Sequence, residues 1–144
     1  MSNGNFAKYA VLAFFAVGAS LMGWNALRSG NDTKAGVIAV KAPELSAAAR
    51  AGKSAFDANC ASCHGQNAAG TDKGPPLIHD IYNPGHHADE AFFLAAKLGV
   101  RRHHWRFGDM PPQPQVSEEQ MRAVVRYVRE VQAANGIAYR PHRM

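Results

Sequence analysis

The chain has 144 residues, which accommodates one compact domain with an extension. Of these residues 47% are hydrophobic and only 19% are charged, and part of the apolar content lies in one run near the N-terminus. The formal net charge of +5 favours anionic partners without choosing between acidic proteins, nucleic acid and lipid headgroups. Nucleic acid is not an expected partner, because the chain has no recognition module.

The first predicted element is the uncharged segment 9–27, bounded by Lys8 and Arg28. As a helix rising 1.5 Å per residue it would extend about 28 Å, close to the thickness of a bilayer's hydrocarbon core. Residues 1–27 are therefore predicted to be a membrane anchor. The alternative is a cleaved signal peptide, which would leave a soluble periplasmic form. Either interpretation places the remaining chain outside the cytoplasm, in the bacterial periplasm.

Residues 28–42 are predicted to be a flexible linker, because their first part is polar and contains glycine. Residues 43–144 then form one soluble domain. Its first predicted helix starts near Ser46 and leads into the sequence Cys60-Ala61-Ser62-Cys63-His64. Gly52 and Phe56 are four positions apart on this helix and therefore share one face.

The sequence Cys60-Ala61-Ser62-Cys63-His64 is a C-x-x-C-H pattern, the attachment signature of c-type haem. Two thiols three positions apart at a helix end can reach the two vinyl groups on one edge of the porphyrin, and the adjacent histidine then lies under the iron. A redox dithiol would need a following βαβ pattern, and a zinc site would need another cysteine pair. No βαβ pattern follows the motif, and the chain has no further cysteine pair because it contains only two cysteines. We therefore expect one covalent haem c, with His64 as an axial ligand.

A proline-rich turn, Gly74-Pro75-Pro76-Leu77, follows the motif and leads into the histidine-rich segment 79–104. A predicted helix, capped by Asp89 and ended by Gly99, separates two His-His pairs that can converge in space. Because imidazole clusters suit copper, zinc or nickel, a second metal site, for copper, is one hypothesis. Surface or haem-pocket groups are the alternative. The five histidines of the segment are His79, His86, His87, His103 and His104.

Arg101, Arg102 and Arg106 form a basic run before the loop 107–112, which contains Met110 and two prolines. The arginines are predicted to pair with haem propionates or to surround an exposed haem edge where a redox partner with an acidic face docks. A solvated surface is the other interpretation.

The last predicted helix begins at Ser117, which forms a capping-box pattern with Gln120. Gly136 offers its stop. Apolar residues recur along it at helical spacing and predict a buried stripe. The stripe consists of Met121, Val124, Val125, Val128 and Val131.

These helices, the C-x-x-C-H motif, the G-P-P-L turn and the Met-Pro loop together resemble the class I (mono-haem) cytochromes c over residues 46–136. The resemblance implies an all-α fold around one covalent haem, preceded here by the N-terminal transmembrane helix. It also implies that the first and last helices of the domain cross, with Gly52 and Phe56 facing Tyr127.

The resemblance further assigns roles around the haem. It implies that the Pro75 carbonyl accepts a hydrogen bond from His64, that Leu77 packs on the haem, and that Met110 is the second axial ligand. His103 or His104 is the rival for that position. The other methionines are better explained by the N-terminal segment, the buried stripe and the chain end; they are Met1, Met22, Met121 and Met144.

His/Met ligation raises the potential of a haem relative to bis-His ligation and fills both axial positions. We therefore expect a one-electron carrier rather than an enzyme, acting alone or as a subunit of a larger oxidoreductase. It would shuttle electrons between membrane respiratory or photosynthetic complexes and a partner outside the cytoplasm. The alternatives are a haem enzyme or gas sensor with a vacant sixth position, and a copper-binding or redox-sensing module built on residues 79–104.

Overall fold

The computed structural model describes residues 3–28 and 37–141 of the chain. Contacts divide the chain into two units, residues 1–33 and 34–144, which are described separately below. The predictions that concern Met1 and Met144, and those for linker residues 29–36, lie outside the described residues.

The N-terminal unit contains one helix, α1 (Asn3–Arg28), where the sequence predicts one. Several of its large apolar side chains are exposed, among them Phe14, Phe15 and Met22. Within the described parts of the chain, no helix combines the length and the apolar character that crossing a bilayer requires. The structure therefore does not support the transmembrane part of the fold prediction.

The second unit is helical and fits the predicted all-α fold. Its described residues form no strand; an isolated antiparallel bridge joins Val100 to Met110. Short 3₁₀ turns lie at Gln66–Ala68 and Asp80–Tyr82. The α-helices are α2 (Ala47–Asn59), α3 (Ala61–His64), α4 (Asp89–Leu98) and α5 (Glu118–Ala134).

The crossing of α2 and α5 forms the centre of the core. A β-carbon on Gly52 would overlap the backbone carbonyl of Ala123, so glycine is the residue that allows this close approach. One turn further along α2, the ring centroids of Phe56 and Tyr127 lie 5.4 Å apart, and both side chains are almost fully buried. The crossing that the family resemblance implies is therefore confirmed.

Helix α5 begins and ends as its sequence predicts. The Ser117 hydroxyl accepts a hydrogen bond from the Gln120 N–H (3.2 Å), and the Gln120 side chain accepts one from the Ser117 N–H (2.9 Å), which completes the capping box. Gly136 lies just beyond the helix end with φ of 78°. The buried side chains between these ends include the whole predicted stripe: Met121, Val124, Val125, Val128 and Val131.

The start of α2 is attached to α5 through Ser46. Its hydroxyl accepts the Ala49 N–H (3.2 Å) and donates to the Glu130 carboxylate (2.7 Å), which also accepts the Ser46 N–H (3.0 Å). The two hydrogen bonds from Ser46, followed by the interaction with Arg126, lower the pKa of Glu130. The cap of one helix is thus held by a side chain of the helix that it crosses.

Helix α4 differs from prediction at its N-terminus. Asp89 is its first residue rather than its cap, and the cap position is taken by Ala88, which makes no side-chain hydrogen bond to the helix. The Asp89 carboxylate instead pairs with Arg129, with Nε and Oδ1 2.8 Å apart. The predicted Asp89 cap was therefore wrong. The predicted end at Gly99, which has φ of 76°, is confirmed.

Residues 37–42, assigned to the linker from sequence, lie against the domain. The Ile38 N–H donates to the Ala69 carbonyl (2.9 Å), and Ile38 packs against the core. The Lys41 N–H donates to the Asn135 side-chain oxygen (2.9 Å), while the Asn135 amide nitrogen donates back to the Lys41 carbonyl (2.8 Å). The packing of the domain therefore begins near Ile38.

Candidate functional site

A cavity of about 420 Å³ lies within the helical domain, a size typical of small-molecule and cofactor sites. All four α-helices of the domain contribute to its walls, which are mainly apolar. Of the predicted site residues, Cys63 is exposed and does not line the cavity. The others all line it: Cys60, His64, Pro75, Leu77 and Met110.

One helical turn presents the C-x-x-C-H motif. Cys60 ends α2 by donating its N–H to the Phe56 carbonyl (2.7 Å), and its φ of −119° separates α2 from α3. The Cys60 carbonyl then accepts the N–H groups of Cys63 (3.1 Å) and His64 (2.9 Å). The three functional side chains therefore leave neighbouring positions of a single turn, as residues three and four apart do.

Both cysteines are free thiols. Burial, followed by the neighbouring Cys63, raises the pKa of Cys60 to about 11, so this group is protonated at neutral pH. Reactive dithiols of the thioredoxin type carry a cysteine with a lowered pKa, since the thiolate is the nucleophile. With its raised pKa, Cys60 is therefore not the thiolate nucleophile of such a dithiol.

His64 is 9% exposed and is held by the Pro75 carbonyl, which lies 2.9 Å from Nδ1. Because a carbonyl can only accept, Nδ1 carries the proton and Nε2 keeps its lone pair. Burial lowers the pKa of His64, an effect that the hydrogen bond to Pro75 partly offsets. A neutral imidazole anchored through its other nitrogen is the usual form of a metal-binding histidine.

The loop 65–77 folds back on the motif and so positions the Pro75 carbonyl. The Thr71 hydroxyl donates to the Cys63 carbonyl (2.5 Å), and the Leu77 N–H donates to the Ala68 carbonyl (2.9 Å). A β-carbon on Gly74 would lie 2.8 Å from the Cys63 carbonyl oxygen, which is too close. Glycine at this position lets the loop pack directly on the motif.

Met110 reaches the cavity at the end of a closed loop. Its N–H donates to the Val100 carbonyl and its carbonyl accepts the Val100 N–H, both at 2.9 Å. Inside the loop, the Asp109 carboxylate accepts the Arg102 N–H (2.9 Å). The start of the loop is fixed by Gly99, whose hydrogen atom faces the Met110 carbonyl where a β-carbon would press against it. These contacts hold the methionine at a defined place on the cavity wall.

Arg129 is a structural residue of the site that the sequence did not reveal. Its guanidinium donates to the carbonyls of Tyr82 (2.8 Å) and His87 (2.6 Å), in addition to its pair with Asp89. The group also lies over the Phe92 ring, 4.9 Å from the centroid. A surface helix normally directs such an arginine into solvent, so no local pattern distinguishes it.

Gln132 is a second such residue, and a signal for it existed. It is 1% exposed and donates through Nε2 to the carbonyls of Leu77 (2.9 Å) and Tyr82 (3.1 Å). Its position, four residues after Val128, places it on the predicted buried face of α5. A polar residue within an apolar stripe implies buried hydrogen-bond partners, which here are the backbone carbonyls of Leu77 and Tyr82.

The three arginines of the basic run, Arg101, Arg102 and Arg106, are exposed, and Arg102 also lines the cavity. Trp105, between them, turns inward and donates through Nε1 to the Tyr82 hydroxyl (3.1 Å). The loop 100–110 therefore has its charged side chains in solvent, while its tryptophan attaches it to the 3₁₀ turn at Asp80–Tyr82.

The two His-His pairs on either side of α4 converge. Nε2 of His86 and Nε2 of His104 lie 3.4 Å apart, and His87 lies close to both. Burial, followed by the neighbouring imidazoles, lowers the pKa of His104; the pKa of His87 is lowered mainly by burial, although its hydrogen bond to Ile81 opposes this. His87, His103 and His104 also line the cavity. Sequence alone allowed this convergence, and the structure brings the pairs together.

The residues around the cavity fit a covalent haem. Two free thiols are available for attachment, Cys60 on the cavity wall and Cys63 on the same helical turn; a neutral histidine with a free Nε2 follows them, and the walls are mainly apolar. The family model for cytochrome c matches residues 49–132, from α2 to α5, which is more than half of the chain. Comparison with curated proteins and with solved structures gave no match. The chain therefore belongs to the cytochrome c family, whose covalently bound c-type haem supports electron transfer.

Proposed function

We propose that the protein is a one-electron carrier in which His64 and Met110 are the axial ligands of the haem iron. The observation that supports this proposal is that both residues line one cavity, where the Pro75 carbonyl holds the His64 ring and Val100 holds the Met110 backbone. When bound, the haem supplies a one-electron couple at its iron. The protein supplies attachment, ligands and a largely apolar environment.

Each residue at the site has a distinct part in this proposal. The thiols of Cys60 and Cys63 hold the porphyrin, while the Pro75 carbonyl orients the His64 ring and raises its basicity. Leu77 and the apolar walls keep water from the iron, which disfavours the more highly charged oxidised state. Thioether ligation by Met110 acts in the same direction and raises the potential.

Two filled axial positions leave no place for a substrate or gas to bind, which supports a carrier over an enzyme. The rival ligands, His103 and His104, also line the cavity. However, Nδ1 of His103 contacts the Arg101 carbonyl (2.9 Å), and Nε2 of His104 contacts His86. His104 is thus engaged with another imidazole, whereas the Nδ1 contact of His103 leaves its Nε2 available, so His103 remains the rival that the Met110 variant tests.

The ligand assignment predicts the behaviour of Met110→Ala. The haem-loaded variant should lose the ferric sulfur-to-iron charge-transfer absorption, have a lower midpoint potential, and bind carbon monoxide in its ferrous form. Met121→Leu is the matched control, because this buried methionine belongs to the core stripe, and it should keep the absorption. An unchanged absorption in Met110→Ala would overturn the assignment. Carbon monoxide binding by the parent protein would instead favour a haem enzyme or gas sensor.

We further propose that the exposed arginines at 101, 102 and 106 guide the docking of an acidic redox partner. Charge of this kind accelerates encounter more than it strengthens the complex, and salt screens it. The bimolecular rate of electron transfer to an acidic acceptor should therefore fall as ionic strength rises. Replacing the three arginines by glutamine should flatten that dependence, whereas an unchanged salt dependence would contradict the docking surface.

The location is a separate proposal: we infer that the haem domain works outside the cytoplasm. The uncharged segment 9–27 after Lys8 is typical of an export signal or an anchor. Mass spectrometry of the natively expressed, fractionated protein distinguishes a shortened periplasmic chain from a full-length chain in the membrane fraction. A full-length, haem-loaded chain in the cytoplasm would contradict export.

A further inference from the structure

A compact group of imidazoles, two of which line the haem cavity, is not used by the proposed His64/Met110 ligation. Each of His86, His87 and His104 offers one ring nitrogen, and these three atoms all lie within 4.8 Å of one another. The residues come from two separate segments, the turn before α4 and the loop 100–110. Their proximity is therefore a product of the fold and not of sequence adjacency.

One distance within the group matches the separation of two ligands of a metal ion. Two nitrogen ligands at about 2.0–2.1 Å from a tetrahedral ion lie about 3.3 Å from each other. Nε2 of His86 and Nε2 of His104 are 3.4 Å apart. A hydrogen bond between two neutral imidazoles would account for that single distance, but it would not bring the His87 nitrogen to the same point.

His87 is also held as metal-binding histidines are held. Its Nδ1 lies 2.7 Å from the Ile81 carbonyl, so Nδ1 donates and Nε2 keeps the lone pair. The His87 backbone is fixed in turn by Arg129, which donates to its carbonyl (2.6 Å). A ligand with a fixed tautomer and a fixed backbone loses little conformational freedom when an ion binds.

We propose that His86, His87 and His104 form a binding site for one divalent first-row transition-metal ion. A set of three imidazoles without carboxylates or thiolates suits zinc and copper, and leaves a fourth position for water. The nearby Arg101 and Arg102 are exposed, so solvent and salt screen their repulsion of a cation. An ion at this site would join the turn before α4 to the loop that ends at Met110.

His103 provides a matched control within the cluster. Its ring is next to that of His104, with centroids 4.2 Å apart, and it lies on the same exposed loop. His103 is nevertheless not part of the group whose nitrogens converge. Removing it therefore takes away an equivalent imidazole without taking away a ligand.

The test is a calorimetric titration of the full-length, haem-loaded, ferric protein with Zn²⁺. Haem attachment occupies both thiols, so they do not compete for the metal. We expect one ion per chain, with the dissociation constant raised at least about tenfold in His86→Ala, His87→Ala and His104→Ala, and unchanged in His103→Ala. The haem absorption spectrum and thermal midpoint of each variant establish that it has folded. Paramagnetic resonance of the parent loaded with Cu²⁺ should show hyperfine coupling to nitrogen.

Two results would overturn the proposal: the absence of one-to-one Zn²⁺ binding, or an equal weakening by His103→Ala. The titration involves no electron transfer and does not depend on Met110. Its outcome is therefore separate from the Met110 assignment unless His104 is itself the sixth haem ligand, and the charge-transfer absorption of Met110→Ala distinguishes that case.

Discussion

At His64, a single hydrogen bond determines which ring nitrogen is available to iron. The Pro75 carbonyl takes the Nδ1 proton, and burial keeps the ring neutral, so Nε2 remains a ligand at ordinary pH. At Cys60, burial followed by the neighbouring Cys63 raises the pKa to about 11, so the thiol is protonated at neutral pH. Neighbouring residues of one short motif thus owe their chemistry to different surroundings.

Tyr127 is the residue whose burial has the clearest cost. Its hydroxyl is buried and has no hydrogen-bond partner among the described residues, and burial, followed by Asp57, raises its pKa to about 12. The folded state therefore favours the neutral phenol. As the pH rises from about 10 through about 12, this preference lowers the free energy of unfolding. Tyr127→Phe should be as stable as the parent at pH 7 to within about 1 kcal/mol.

The same variant should lose less stability between pH 10 and 12, measured by urea unfolding of the haem-loaded protein. Tyr139→Phe is the control, because that side chain is exposed and should leave the pH dependence unchanged. An alkaline loss in Tyr127→Phe equal to that of the parent would show that the phenol does not titrate as its burial implies.

The haem motif depends on how α2 is held against α5. Gly52 permits the close approach, the Phe56 and Tyr127 rings fill the space beside it, and Ser46 attaches the start of α2 to Glu130. Since Cys60 directly follows α2, this crossing sets the position from which the thiols and His64 leave the backbone. The position of the C-x-x-C-H motif is thus set by the packing of α2 against α5.

Gly52→Ala tests this dependence. The added methyl group has to displace the Ala123 carbonyl, and overpacking of this kind typically costs about 1–3 kcal/mol. We expect a loss of that size in the free energy of unfolding of the haem-loaded protein. Ser54→Ala, on an exposed face of the same helix, should change it by less than about 0.5 kcal/mol. A Gly52→Ala protein as stable as the parent would mean that α2 and α5 can move apart at the crossing without loss of stability.

Over the whole domain, α5 is the helix to which the other segments are attached. Asn135 holds residues near Lys41, Glu130 holds the start of α2, and Gln132 and Arg129 hold the segment 77–89. The last of these contacts supports both the cavity wall and the backbone of His87. A change on α5 can therefore affect the haem environment and the histidine cluster together.

Arg129→Met should show this coupling. The substitution removes the Arg129 donor from the His87 carbonyl and the Asp89 carboxylate and leaves the Tyr82 carbonyl only the one from Gln132, and we expect a loss of about 2–4 kcal/mol in unfolding free energy. Zn²⁺ affinity should fall as well, because His87 loses its backbone support. Arg126→Met on the same helix, with an exposed side chain, is the control. Loss of stability without any change in Zn²⁺ affinity would show that the cluster does not need this support.

The sequence by itself determined the features that depend on residues close together in the chain. The C-x-x-C-H spacing, the α5 capping box and stripe, and Gly99 and Gly136 at helix ends follow from the geometry of one helical turn. The family resemblance added the α2–α5 crossing and the Pro75 contact, which no local spacing specifies.

Only the tertiary structure decided the roles of polar groups whose partners lie far along the chain. Asp89 was expected to cap α4, but Arg129, 40 positions later, is close enough to take its carboxylate. The convergence of His86 and His87 with His104 likewise requires α4 to place two distant loops side by side. A hydrogen bond or a ligand set depends on distances in space, and the order of residues fixes those distances only within a turn or two of helix.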